Sequence, residues 1–334
     1  MSSKKCMARR RSPHPGGRSG IPERLHVVVL PDFLRGQAIV PGRGTRSLPK
    51  RGGACHRASG RLRGRSGKNG SMKGWVQAAM LAITVYVGLC AFLFLMQQRL
   101  IFHPRPVGHV PVGPQFAPAT VQSGDVTLRG WIVKEESEGP VLIYFGGNAE
   151  DISGRLRDFA ALDATTVLIS YRGYGGSDGV PTAGDLVRDA GVVVETMRGR
   201  FGAERELILF GRSLGAGIAA LAAGAVPVDG LILLSPYVSI ARIAQQRFPV
   251  FPVRWLLRHD IDASTVAASL PERLLVLYSR HDNVVPTAES RAFVRLLVSE
   301  PQVVEFLGDH NAPMTVPPIW AAIEGFLNGG DRAA

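Results

Sequence analysis

Apolar residues in this chain fall into one long uninterrupted run followed by a series of short ones. Residues 75–96 are 22 positions without a charge. At 1.5 Å rise per residue a helix of that length covers about 33 Å, enough for a hydrocarbon core of roughly 30 Å. The run predicts a single membrane anchor over 75–96, because a buried core helix rarely stays uncharged on every face for so long. A cleaved signal peptide is the rival. Against it, the run has no small-x-small end and passes directly into Gln97-Gln98-Arg99.

Beyond the anchor, apolar stretches at 126–133, 141–145, 165–170, 207–210, 231–234, 274–278 and 303–307 read as strands, several continuous enough to be buried on both faces. Helical patterns lie between most of them. One covers 185–200, with Leu186, Ala190, Val193, Val194 and Met197 on one face, and Thr182 to Asp185 forms a capping box in front of it. Alternating strands and helices imply an α/β fold with a mainly parallel sheet covered on both sides, in one domain over 97–330. In such sheets sites gather at the carboxyl ends of strands.

Charge changes the picture of the first 71 residues. The chain carries +12, a value that ordinarily points to nucleic acid or anionic lipid, but residues 1–71 hold 17 Lys and Arg against Glu23 and Asp32. The remaining positions hold 22 basic and 25 acidic side chains, a net −3. The basic segment is also rich in Gly and Pro and has no periodicity, so disorder is expected there. It reads as a nucleic-acid or acidic-lipid tail, as a transit peptide, or as sequence upstream of the true start. The last is favoured, because Met72-Lys73-Gly74-Trp75 stands before the apolar run as a membrane-protein N-terminus does. No nucleic-acid partner is expected of residues 97–330. Charges flanking the anchor are nearly balanced, Lys73 and the amine against Arg99 and Arg105, and the expected orientation has the N-terminus inside and the domain on the outer side. Cys6, Cys55 and Cys90 all precede the domain, which therefore holds neither a disulfide nor a cysteine metal site.

The chemistry centres on Gly211-Arg212-Ser213-Leu214-Gly215, which follows the run 207–210 and precedes the small, helix-compatible 218–222. A Gly-x-Ser-x-Gly between strand and helix is the arrangement that lifts a serine hydroxyl out of a sheet, small residues being needed where the backbone bends sharply. Ser213 is the expected nucleophile. The strand at 274–278 is followed by Asp282 and the strand at 303–307 by His310, in the chain order serine, aspartate, histidine. His259 and His281 are the other downstream histidines, and Asp260, Asp262 and Asp309 the other candidate acids. The carboxylate is expected to fix the imidazole, and His310 to act as general base. Main-chain N–H groups of Leu214 and of Asn148, in the turn Gly146-Gly147-Asn148 after 141–145, are the expected oxyanion donors. No metal or organic cofactor is implied. The alternative from another class is a membrane-tethered interaction module without chemistry.

With these pieces the chain resembles the α/β-hydrolase superfamily, in its membrane-anchored branch of small serine hydrolases that includes bud-emergence-type homologues and protein depalmitoylases. The resemblance covers about 97–328 and rests on Leu100-Ile101-Phe102-His103-Pro104, Gly147-Asn148-Ala149, Tyr171-Arg172-Gly173-Tyr174-Gly175-Gly176-Ser177, the serine turn, and His310-Asn311. Gly146 departs from it, since related proteins commonly carry a histidine there. What the resemblance implies is an acyl ester or thioester hydrolase, with a serine peptidase of the same fold as runner-up. The segment 235–263, with Phe248, Phe251, Trp255 and Leu256, reads either as a small cap above Ser213 that would hold an acyl chain or as core packing.

Overall fold

The structure, a computed structural model, describes residues 69–108, 110–311 and 313–329. Nearly all of the basic segment, with the expectations of disorder and of an upstream start, lies outside the described residues. The first helix, α1 (Asn69–Ile101), is longer at both ends than the expected 75–96 and is apolar throughout its middle. Eight strands follow: β1 (Phe116–Ser123), β2 (Val126–Val133), β3 (Val141–Phe145), β4 (Thr165–Ile169), β5 (Leu207–Arg212), β6 (Gly230–Leu234), β7 (Leu274–Ser279) and β8 (Gln302–Phe306). The further helices are α2 (Leu156–Phe159), α3 (Ala183–Phe201), α4 (Leu214–Ala225), α5 (Ile240–Arg247), α6 (Val253–Leu256), α7 (Thr287–Val294) and α8 (Pro317–Leu327).

The strands form one sheet in the order β1-β2-β4-β3-β5-β6-β7-β8. β1 and β2 pair antiparallel, β2 meets β4 antiparallel, and every pair from β4 to β8 is parallel. Strands β3 to β7 are buried at every position, which is why they appear in the sequence as continuous apolar runs rather than as alternation. β1 has no such run. It is an edge strand that alternates buried and exposed residues after its first positions, and it carries Pro118, which an edge tolerates because no ladder hydrogen bond is needed on its open side.

One face of the sheet packs α3 and α4 through Leu186, Val193, Ile218 and Ala219; the other packs α2 and α8 through Phe159, Ile319, Ile323 and Phe326. α3 starts where the capping box placed it, with Thr182 Oγ1 accepting the Asp185 N–H at 3.1 Å. α4 is a run of Leu, Ile, Ala and Gly, small enough to lie flat against β5 and β6. The parallel strands from β3 to β8 all end on the same side, and the loops after β3, β5, β7 and β8 meet there.

Candidate active site

β5 passes into α4 at Ser213, which sits at φ 53° and ψ −116°. That backbone conformation is strained by roughly 1–3 kcal/mol for a residue with a side chain, and the surroundings hold it. The Ser213 N–H donates to the Leu234 carbonyl on β6 at 2.8 Å. Gly215 lets α4 press on the end of β3, where a Cβ would collide with the carbonyl oxygens of Phe145 and Gly146; a Cβ on Gly211 would collide with the Gly215 carbonyl.

The structure brings Ser213, His310 and Asp282 together. His310 Nε2 lies 2.9 Å from Ser213 Oγ, and His310 Nδ1 lies 2.7 Å from Asp282 Oδ2. Ser213 and His310 are buried, with 8% and 7% of their surface exposed, and the Asp282 side chain is 2% exposed. Asp282 also accepts the Ser235 hydroxyl at 3.0 Å and the N–H groups of Val284 and Val285 at 2.9 and 2.8 Å. Burial pushes the Asp282 carboxyl up, but the hydrogen bond and charge of His310 and the two amides outweigh it, so its pKa lies below the ordinary value. A carboxylate at Nδ1 keeps the proton on that nitrogen and turns the Nε2 lone pair towards the serine hydroxyl.

The other candidates are placed elsewhere. His281 is exposed, and His259 packs edge-on against Phe102 with ring centroids 5.8 Å apart. Asp260 accepts from the Ala241 N–H, Asp262 from Ser264, and Asp309 from the Asn311 N–H.

The turn after β3 is tied down by a buried carboxylate that sequence reasoning did not single out. Glu150 accepts the Gly147 N–H at 2.6 Å, the Tyr144 hydroxyl at 3.0 Å, Arg155 at 3.0 Å and Arg212 at 3.0 Å. Burial raises the Glu150 carboxyl, and Arg212, the Gly147 amide and Arg155 together bring it below its ordinary value. Arg212 also donates to the His310 carbonyl at 3.1 Å. The residue before the serine thus links the β3 turn to the histidine loop. The only sequence signal for this was a Glu and an Arg at neighbouring strand ends.

Asn148, in the same turn, has its side chain committed to the end of α1 and to Tyr174. Its side chain donates to the Ile101 carbonyl at 2.6 Å and accepts the His103 N–H at 3.0 Å and the Tyr174 hydroxyl at 2.9 Å, which locks the turn to the end of α1. Beside Ser213 lies a cavity of about 360 Å³ whose walls include Arg105, Asn148, Asp151, Arg155 and Asn311. The 235–263 segment, which one of its two readings places above Ser213, contributes none of its lining; it forms α5 and α6, which lead away towards α1, because Phe251 stacks on Tyr86 and Gln97 bonds the Leu256 carbonyl.

A family model described as serine aminopeptidase, S33, matches residues 145–272. An uncharacterized protein of Mycobacterium tuberculosis is 32% identical over 238 residues, 68% of this chain and 84% of that protein. An uncharacterized membrane protein of Saccharomyces cerevisiae is 28% identical over 71% of this chain and 90% of its own length. A lysophosphatidylserine lipase of Danio rerio is 29% identical over 47% of each chain. Among solved structures, an esterase of Pyrococcus furiosus superposes with a TM-score of 0.56 at 18% identity, over 68% of this chain and 98% of its own. The chain belongs to the α/β-hydrolase family.

In this α/β hydrolase the Tyr171 to Ser177 motif serves as a scaffold for the serine-facing loops. The Tyr171 hydroxyl donates to the Gly146 carbonyl at 2.7 Å, and Arg172 makes a buried two-pronged pair with Asp189 at 2.6 and 2.5 Å. The Ser177 hydroxyl donates to the Ser170 carbonyl at 3.0 Å and accepts the Arg129 N–H at 2.8 Å. At Gly146, the departure from the family pattern, a Cβ would come within 2.9 Å of the Ile152 side chain.

Proposed function

We propose that this α/β hydrolase is a membrane-anchored serine hydrolase that cleaves an acyl ester or thioester through an acyl-enzyme on Ser213. The observation that carries the reading is the unbroken hydrogen-bond chain from Ser213 through His310 to Asp282, with the serine held on a strained turn. His310 Nε2 takes the hydroxyl proton as Oγ attacks the acyl carbon, and the carbonyl electrons move onto oxygen. Main-chain N–H groups of Leu214 and Asn148 receive that charge; Leu214 is the first residue of α4, where an amide has no intrahelical acceptor. His310 returns the proton to the departing alcohol or thiol. A water then repeats the sequence in reverse order and frees the acid, while Asp282 holds the imidazole and balances its transient charge.

Two relatives support the setting: the lipase of Danio rerio supports an ester substrate, and the membrane protein of yeast supports α1 as an anchor. The helix Met72–Ile101 is long and apolar enough to cross a membrane. We place the N-terminus inside and the domain on the outer side. The description of the matching family model favours a second reading, aminoacyl or peptide bond cleavage by the same serine.

The test is labelling of the detergent-solubilised protein with a fluorophosphonate, followed by rates on matched esters, thioesters and aminoacyl amides. Labelling of wild type, with none in Ser213→Ala or His310→Ala, is expected, together with ester or thioester turnover above amide. Unlabelled folded protein rejects the serine mechanism, and turnover of amides alone selects the peptidase.

A further inference from the structure

Between α5 and α6 the chain makes a short turn, 248–252, whose side chains have no place in the body. Phe248 is 54% exposed and Val250 70%, and Trp255, just beyond, is 89% exposed. The turn lies against α1, midway along the apolar run. Phe251 stacks on Tyr86 with centroids 5.9 Å apart, and the Tyr86 hydroxyl donates to the Val250 carbonyl at 2.8 Å. Further along the same helix, Arg258 sits 5.5 Å from the centre of the Phe94 ring, and its N–H donates to Gln97 at 2.6 Å. From Val250 to Arg258 the segment therefore runs down α1 from Tyr86 to Gln97, with the apolar tip at mid-span and the charged end near Arg99.

Length makes this placement decisive. Residues 72–85 lie clear of the body, and at 1.5 Å each they cover only about 21 Å, short of a hydrocarbon core of roughly 30 Å. A membrane crossed by α1 must take in some of the helix beyond Tyr86, and the 248–252 turn goes in with it. Resting on the reading of α1 as an anchor, we propose that this tip, with Phe248, Val250 and Trp255, is buried in the acyl-chain region of the leaflet facing the domain.

Most of the tip's backbone is prepared for that solvent, the Val250 N–H being the exception among its peptide donors. In hydrocarbon an unpaired peptide group is costly, so buried chain must satisfy its own donors and acceptors. Pro249 and Pro252 have no N–H to satisfy. The Phe248, Phe251 and Val253 N–H groups donate to the carbonyls of Ala244, Phe248 and Phe251 at 2.8, 3.1 and 2.9 Å. Gln245 reaches back with Nε2 to the Phe251 carbonyl at 3.1 Å and to those of Phe248 and Pro249 at 3.5 Å, and its Oε1 accepts the Val253 N–H at 3.1 Å. The Tyr86 hydroxyl satisfies the Val250 carbonyl. Arg247 and Arg254 flank the apolar residues, and their aliphatic stems can lie along hydrocarbon while the guanidinium groups turn towards the headgroups.

The experiment places the full chain in phosphatidylcholine vesicles carrying brominated acyl chains and reads tryptophan quenching in wild type and Trp255→Phe. The protein has four tryptophans. Trp75 lies on α1, Trp131 is buried and Trp320 belongs to the body, so Trp255→Phe is expected to remove roughly half of the lipid-quenched signal. Phe248→Trp in that background is expected to restore it. Equal lipid quenching in wild type and Trp255→Phe, with Trp255 quenched instead by aqueous iodide, overturns the insertion while the anchor stands. Release of the protein by an alkaline carbonate wash overturns both.

Discussion

Arg212 donates to the main-chain oxygen of His310 at 3.1 Å while the same guanidinium holds Glu150 at 3.0 Å. The residue next to Ser213 therefore couples two loops that come from opposite sides of β5. Both side chains of the pair are buried, 9% and 6% exposed.

Breaking this pair is expected to be severe and repairing it with apolar residues only partly successful. Arg212→Met leaves the buried carboxylate with Arg155 as its one cationic partner, beside the Gly147 amide and the Tyr144 hydroxyl, and is expected to lose up to about 3–5 kcal/mol. The double variant Arg212→Met, Glu150→Leu is expected to recover most of that stability, since an apolar pair needs no partner and Arg155 can turn to water. Its kcat should stay at least about tenfold down, because His310 and Gly147 lose their partners. Urea unfolding and kcat/KM measured on all three variants decide it; a double variant as fast as wild type removes the positioning role.

Asp282→Asn keeps the shape of the loop after β7 and is expected to fold, but an amide neither fixes the His310 tautomer nor balances an imidazolium. A fall in kcat on the order of 10³–10⁴-fold is expected with KM little changed. Circular dichroism and steady-state rates check it, and wild-type turnover would move the acid elsewhere.

Glycines at two places in this hydrolase should answer the same substitution with opposite signs. Gly215→Ala drives a methyl into the Phe145 and Gly146 carbonyls and is expected to lose about 3 kcal/mol or more. Gly191, inside α3, has open space within 4 Å of where a Cβ would stand, and Gly191→Ala is expected to gain about 0.5–1 kcal/mol from chain entropy. Thermal midpoints of the two variants provide the comparison.

Acid should weaken the fold through two carboxylates. Asp282 and Glu150 both titrate below their ordinary values of 3.8 and 4.5 in the folded protein. A group whose pKa is depressed by folding contributes stability that is complete above its unfolded value and disappears as pH falls through the folded one. The thermal midpoint is thus expected to drop on acidification below about pH 4.5, the ordinary value for Glu150, and less steeply in Glu150→Gln. Parallel curves for wild type and variant would show that Glu150 has no part in the loss.

The sheet was legible wherever strands are buried on both faces, since 141–145 or 231–234 leaves no polar position to confuse the pattern. β1 escaped because an edge strand with Pro118 and alternating exposure resembles a loop. The serine, aspartate and histidine were legible from the strands they follow, because strand ends on one side of a parallel sheet share a neighbourhood. Contacts such as Arg212 with Glu150, 62 positions apart, depend on which strands become neighbours and carry no local signature. Nor did the insertion reveal its direction: its aromatic residues serve a cap or a helix contact equally well, and only the pairing of Phe251 with Tyr86 separates the two.

The join between α1 and the body has no slack. Phe102 is buried, and the His103 N–H is held by Asn148 and Tyr174 at 3.0 Å each, within the turn that faces Ser213. An enzyme on a loose tether sweeps a hemisphere of substrates; with α1 as the proposed anchor, this join makes a fixed-height gauge instead. Under the proposed anchoring, Ser213 keeps one distance and one bearing relative to the helix axis, so the bonds it reaches would be chosen by how far they stand from the bilayer as well as by what they are.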